Sequence, residues 1–223
     1  MKINYANDIA VIGCGRFGQA VIEQLLKLEK NIILIDKEEE TVKLYKDDIE
    51  KIIIGDAADT KLLKSIRIDK VGTVVVATPD NIEIIAALLE LNVKNIITRA
   101  TSQRHARVLR QIGVNIIIRP EYESGTRAAL IAANKNFVRY SENLQEIGDN
   151  FVLGTTTIKN MELNGKQLKD LNLNDRGITL VLIKSKGKSI RPTGTSLLHY
   201  DDLVTIIGQV DDITSALEWL NKN

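Results

Sequence analysis

The chain of 223 residues carries 30 basic and 29 acidic side chains, a net charge of +1, and 44% apolar residues. That balance supports a sizeable core and excludes disorder, while near-neutral charge and 4% aromatic content leave no electrostatic stripe or base-stacking platform for nucleic acid. The lone Cys14 cannot close an internal disulfide, no apolar run approaches the roughly 20 residues of a membrane span, and residues 1–8 lack the apolar stretch of a secretory leader, so we expect a cytoplasmic protein.

The first 118 residues alternate short β-branched runs with longer helical patterns, the rhythm of successive βα units. Strands are predicted at 9–12, 32–35, 52–54, 71–76, 95–98 and 114–118, all continuous apolar runs that suit a parallel sheet covered on both faces. Crossover helices are predicted at 17–28, 38–45, 60–65, 80–91 and 102–111, with Thr78-Pro79 as a helix start. Residues 121–140 read as one further helix in which Ala128, Ala129, Ala132 and Ala133 surround Leu130 and Ile131; a core helix and a helix crossing to a second subunit fit equally well. The polar stretch 141–150 reads as a linker. Beyond it the pattern shortens, with strands at 151–158, 178–184 and 203–207, a hairpin turn at Ser185-Lys186-Gly187, a short helix at 166–173 and a last helix at 211–221. The expected fold class is α/β: a Rossmann-like, doubly wound parallel sheet with its crossover helix over residues 1–140, then a smaller α+β domain over 141–223.

Gly13-Cys14-Gly15-Arg16-Phe17-Gly18 lies between the first predicted strand and helix, and Asp36 ends the second strand 18 residues after Gly18. Glycines there permit a tight turn, close approach of backbone N–H groups to phosphate, and close helix–sheet packing, while the carboxylate suits a ribose diol. Parallel topology brings the ends of the other strands to the same edge, adding Asp56-Ala57, Thr78 with Asn81, Arg99, and Arg119 followed by Glu121. Arg16 and Arg99 would neutralise phosphates. Asp36 repels a 2′-phosphate, although the neighbouring Lys37 softens this, so NADP is the least favoured dinucleotide. Catalytic machinery is sparse. No Tyr has a Lys four residues on, there are two His, and no Cys/His cluster has zinc spacing. As bare residues, His105 reads as a surface or packing histidine, His199 as a turn residue and Cys14 as a small apolar residue under the glycine turn. An NAD-dependent oxidoreductase and a free-standing nucleotide sensor remain rival readings.

With these motifs assembled, the chain resembles the RCK family, cytosolic regulators of potassium channels and of Trk/Ktr-type potassium transporters. The likeness rests on the 10–18 segment with its Arg16-Phe17, on Gly55-Asp56-Ala57, Ala77-Thr78-Pro79-Asp80-Asn81, Arg99-Ala100, His105 with Leu109 and Gly113, Pro120-Glu121, and in the last domain Gly165-Lys166, Gly177-Ile178 and Asp202 to Gly208. The resemblance implies a non-enzymatic regulator whose nucleotide site, for ATP/ADP or NAD(H), is lined by Gly13, Gly15, Arg16, Phe17, Gly18, Asp36, Lys37, Asp56, Ala57, Thr78, Asn81, Arg99, Thr101, His105 and Glu121. It implies that Glu121 assists a divalent metal, Mg2+, near the phosphates. It further implies homodimers assembling into a ring, an octamer, peripheral to the inner face of the cell membrane beneath a membrane-embedded potassium-translocating partner. A cyclic di-AMP site is implied around Leu168, Asn174, Asp175, Arg176, Ile178 and Pro192.

Overall fold

The computed structural model describes residues 7–222, so most of the 1–8 segment, residues 1–6, lies outside the described residues. Six strands, β1 (Ile9–Ile12), β2 (Ile32–Asp36), β3 (Lys51–Ile54), β4 (Thr73–Val76), β5 (Ile96–Arg99) and β6 (Ile116–Ile118), pair in the order β3-β2-β1-β4-β5-β6, and every pairing is parallel. The order reverses beside β1, which opens a crevice past the carboxyl ends of β1 and β4. Helices α1 (Arg16–Lys27), α2 (Glu39–Val42), α3 (Thr60–Ser65), α4 (Ile82–Glu90) and α5 (Gln103–Gln111) connect the strands; residues predicted as one helix at 38–45 close with a 3₁₀ turn, Lys43–Tyr45.

Successive side chains of β1 feed opposite faces. Ala10 and Ile12 join a core with Ile33, Ile35, Val74, Val76, Leu63, Ile85, Leu88 and Leu109, whereas Val11 joins Ile22, Leu34, Val42, Tyr45 and Val75. This two-sided burial is why the strands are written as unbroken β-branched runs. Each such side chain withdrawn from water contributes about 1.5–3 kcal/mol, and that anchoring fixes the strand ends that carry the site.

The chain divides into two compact units between Glu121 and Tyr122, within the first turn of α6 (Pro120–Ala133). The single helix expected over 121–140 is two helices, α6 and α7 (Lys135–Tyr140). Asn134 separates them: its backbone is extended, and its side-chain oxygen accepts from the Asn136 and Phe137 N–H groups, capping α7. No residue of α6 is fully buried, and Ala128, Ala129, Ala132 and Ala133 are exposed. The stretch taken for a linker at 141–150 is instead mostly strand β7 (Asn143–Gly148), the edge of a second sheet. Its single buried residue, Leu144, explains the misreading, because a half-solvated edge strand has linker-like composition.

The second sheet, with β8 (Phe151–Thr157), β9 (Ile178–Ser185), β10 (Lys188–Ile190) and β11 (Leu203–Gln209), has the order β10-β9-β11-β8-β7 and is antiparallel. Lys186 and Gly187 both hold positive φ in the predicted hairpin turn. Only Leu168–Asp170 of the predicted 166–173 helix is helical, as a 3₁₀ turn. The terminal helix α8 (Val210–Leu220) supplies Ile213, Ala216, Leu217 and Leu220 to a core shared with Phe137, Leu144, Val152, Leu180, Val204 and Ile206.

Candidate functional site

The turn from β1 into α1 is built around two glycines. Gly13 has φ +96°, and a Cβ there would stand 2.6 Å from the Thr78 methyl group; a Cβ on Gly18 would stand 2.0 Å from the Gly13 carbonyl oxygen. The third glycine of the motif therefore lets α1 sit directly against the turn. Gly15 occupies the N-cap of α1 without a side-chain cap, and nothing lies within 4 Å of where its Cβ would be. A helix start with uncapped N–H groups and open space before it suits an anion. Arg16 is exposed at this start, and Phe17 is half-buried behind it.

Asp36, at the end of β2, is already engaged. One carboxylate oxygen accepts from the Cys14 N–H and the other from the Glu38 N–H at 2.9 Å, so Asp36 braces the glycine turn. Cys14 is fully buried, its thiol facing the Thr41 carbonyl at 3.4 Å, and burial, followed by the Asp36 charge, raises its pKa. Past β3, Asp56 accepts from the Ala58 N–H and pairs with Lys37 at 3.0 Å. The backbone bond first and Lys37 second hold the Asp56 carboxyl below its usual range, and the same contact raises Lys37. Ala57 is buried beneath them.

At the end of β5 the Arg99 side chain is 16% exposed, pairs with the Glu121 carboxylate, and holds its guanidinium carbon 5.9 Å from the centre of the Phe17 ring. Among the described residues, two buried side-chain polar atoms have no partner: Arg99 Nε and Thr78 Oγ1. Both belong to this edge. Asn81 is 0% exposed; its Nδ2, with two hydrogens to give, lies 3.0 Å from the Thr78 carbonyl, 2.9 Å from the Arg99 carbonyl and 2.9 Å from Thr98 Oγ1, and its Oδ1 lies 3.1 Å from His105 Nε2. His105 Nδ1 in turn faces the Thr101 N–H and hydroxyl at 3.3 and 3.2 Å.

The edge thus gathers the predicted residues of the first unit, as three clusters: the glycine turn with Asp36, the Lys37–Asp56 pair, and the Thr78–Asn81–Arg99–Thr101–His105 group with Glu121. Thr98 escaped the sequence reading, though a threonine that interrupts an aliphatic strand before an arginine is a detectable signal. Glu121 is 65% exposed, and among the described residues no group of three or more His, Cys, Asp or Glu side chains is placed to hold a metal ion.

The family model of the TrkA-N domain matches residues 9–120, and that of the TrkA-C domain matches residues 157–221. The chain belongs to the TrkA (RCK) family. Ktr system potassium uptake protein C of Bacillus subtilis (strain 168) is 32% identical over 214 residues, covering 93% of this chain and 94% of that protein. Ktr system potassium uptake protein A of the same strain is 30% identical over 212 residues, covering 92% and 93%. Among solved structures, the GsuK channel bound to NAD shares the fold over 100% of this chain with a TM-score of 0.59 at 16% identity, this chain spanning 41% of that one. The chain is thus homologous to the Ktr potassium uptake proteins, a family of regulators and not of enzymes. No helix among the described residues is long and apolar enough to cross a membrane.

In the TrkA-C part of this RCK chain, a surface groove of about 400 Å³ is lined by Leu168, Asn174, Asp175, Ile178 and Pro192 together with Lys169 and Thr193. Arg176 does not join them. Its guanidinium lies over the Trp219 ring at 4.0 Å, a cation–π contact that fastens the loop to α8.

Proposed function

We propose that the protein is the nucleotide-responsive regulatory subunit of a Ktr-type potassium uptake system, cytoplasmic and held at the membrane through a potassium-translocating partner. Two observations combine: relatives that match nearly end to end are Ktr uptake proteins, and the crevice edge holds the orphaned buried atoms Thr78 Oγ1 and Arg99 Nε beside the open N-terminus of α1. The second carries the ligand reading, because buried polar atoms are seldom left unpaired unless something completes them. A phosphate accepts from the Arg99 guanidinium and from backbone N–H groups, and a ribose hydroxyl donates to the free lone pairs of Asp36. The ligand is ATP/ADP or NAD(H); the GsuK channel of the same fold is described with NAD. Mg2+ enters with the phosphates, Glu121 offering one oxygen and the nucleotide and water the rest.

The regulator works by differential binding. A nucleotide that binds two subunit arrangements equally moves nothing, and shifting a gate from 1:99 to 99:1 needs ~10⁴-fold preference, shared over the subunits of a ring. The exposed alanines of α6 suit close packing against a second copy, as homodimers building an octameric ring require. The groove at Leu168, Asn174, Asp175, Ile178 and Pro192 supports a second ligand, cyclic di-AMP, with Lys169 and not Arg176 as the nearby cation. The deciding experiment is calorimetry with ATP, ADP, NAD and NADH, each with and without Mg2+, followed by potassium flux through vesicles carrying the partner subunit. Tight binding of one nucleotide pair and flux that depends on it support the proposal; absence of binding by all four sinks it.

A further inference from the structure

Asn81 occupies the N-cap of α4, where an asparagine side chain ordinarily accepts a hydrogen bond from the helix N–H groups, yet here it makes no such cap. Its whole hydrogen-bonding capacity is spent elsewhere. Two backbone carbonyls around Nδ2 fix which end of the amide is nitrogen, so Oδ1 must face His105 and can only accept from it. His105 is therefore the neutral tautomer with its proton on Nε2, leaving Nδ1 to accept from the Thr101 N–H. With 0% exposure and every polar atom occupied, Asn81 has nothing to offer a ligand.

The two carbonyls it holds are those of Thr78 and Arg99, the same two residues whose side chains carry the orphaned atoms Thr78 Oγ1 and Arg99 Nε. The Thr78 methyl also lies 2.6 Å from where a Cβ on Gly13 would be, so the amide that holds Thr78 sets the wall of the glycine turn. Thr98 Oγ1, 2.9 Å from Nδ2, shares one of its two N–H groups while donating to the Val76 carbonyl at 3.3 Å, tying the amide to β4 and β5 together. We propose that Asn81 is the positioning residue of the anion site: it touches no ligand, and through one buried amide, oriented by Thr98 and His105, it fixes the backbone of Thr78 and Arg99 and so sets where these two residues meet the ligand's phosphates. Resting on the nucleotide reading above, the proposal specifies how that site is pre-organised, and it removes Asn81 and His105 from the ligand-contacting set.

The test uses Thr98→Val, which keeps shape and removes one acceptor, beside Asn81→Ala and the conservative Thr98→Ser, with ATP and adenosine as probes in calorimetry. Loss of one buried hydrogen bond predicts ATP affinity down about fivefold in Thr98→Val and at least about tenfold in Asn81→Ala. Adenosine affinity should stay within about twofold, because loss of one aim is not loss of the pocket. Thr98→Ser should restore ATP binding. Equal losses for both probes, or unchanged ATP affinity, overturn the proposal. A ligand-free readout keeps it decidable if the wild-type protein binds no nucleotide, which would sink only the nucleotide reading. In ¹⁵N spectra His105 should show the Nε2–H tautomer, and the Arg99 Nε–H resonance should shift in Asn81→Ala; an Nδ1–H tautomer, or an Arg99 resonance indifferent to Asn81, overturns it.

Discussion

Arg99 and Glu121, 22 residues apart, are joined by an ion pair in which the guanidinium is largely buried and the carboxylate is mostly in water. The asymmetry matters. Arg99 is held between Phe17 and the sheet edge and has little freedom to leave, whereas Glu121, in the first turn of α6, can swing away at small cost. On the function proposed above, a ligand phosphate would compete with this carboxylate for the guanidinium.

Glu121→Gln removes the competing charge and leaves Arg99 in place. Affinity for ATP measured without Mg2+ should rise about two- to fivefold, the worth of one largely solvated ion pair. With Mg2+ present the gain should shrink or reverse, because the variant also loses an oxygen for the ion. Calorimetry in both conditions reads this directly, and a weaker ATP complex in the absence of Mg2+ would show that Glu121 does not compete.

How far the sequence discloses this arrangement depends on the range over which each contact acts. The parallel sheet is legible because burial on both faces demands unbroken runs such as Val74–Val76, and the glycine turn is legible because Gly13 needs glycine for its own positive φ and Gly18 answers to Gly13, five residues away. The edge strand β7 is not, since one buried leucine in six residues leaves no alternation to read. The break at Asn134 is hidden for a different reason: its side chain is also bonded to Thr214, 80 residues on, a tertiary contact that outweighs helix continuity. The role of Asn81 is likewise written in partners 17 to 24 residues away, so the motif Thr78-Pro79-Asp80-Asn81 marks the place but not what the amide does. Arg176 sits beside the groove residues in sequence, yet Trp219 takes its side chain.

Cys14 lies in the middle of the phosphate-type loop but should be chemically quiet. Burial and the nearby Asp36 charge both disfavour the thiolate, which is the reactive form, and the weaker bond to Gln19 does not offset them. At pH 8 an aromatic disulfide reagent should label the folded protein at least about a hundredfold more slowly than the urea-unfolded chain, since access requires local opening. Rapid labelling of the folded protein would contradict the packing of this turn.

The Lys37–Asp56 pair gives a pH signature with a definite sign. Asp56 titrates below its usual range in the folded protein, owing first to the Ala58 N–H and then to Lys37. Its contribution to stability is therefore fully present above the unfolded carboxylate value, about 3.9, and is lost as pH falls through the lower folded value. Wild-type protein should exceed Asp56→Asn in urea midpoint at pH 7, and the gap should narrow as pH falls below about 4. Both side chains are largely exposed, so the gap should also shrink in 1 M salt. A gap that grows on acidification would mean the carboxylate is not the stabilising form.

Gly15 and Gly18 separate ligand approach from packing within one motif. Alanine at 18 would place its Cβ 2.0 Å from the Gly13 carbonyl oxygen and 3.0 Å from its carbon, and because that neighbour is backbone, α1 or the turn must move. Overpacking of this kind costs about 1–3 kcal/mol, so Gly18→Ala should lower the urea midpoint and weaken nucleotide binding together. Alanine at 15 meets no protein atom within 4 Å, and the extended backbone there, φ −73°, is one any residue adopts, so Gly15→Ala should leave the urea midpoint unchanged. Its methyl group would instead occupy the space before the first N–H groups of α1, where close approach of phosphate requires a bare backbone. ATP affinity should fall at least about tenfold on the scale of one lost charge-assisted contact, with adenosine far less affected. If Gly15→Ala bound ATP as the wild type does, the phosphates would not lie at the start of α1, and the arginines alone would have to carry them.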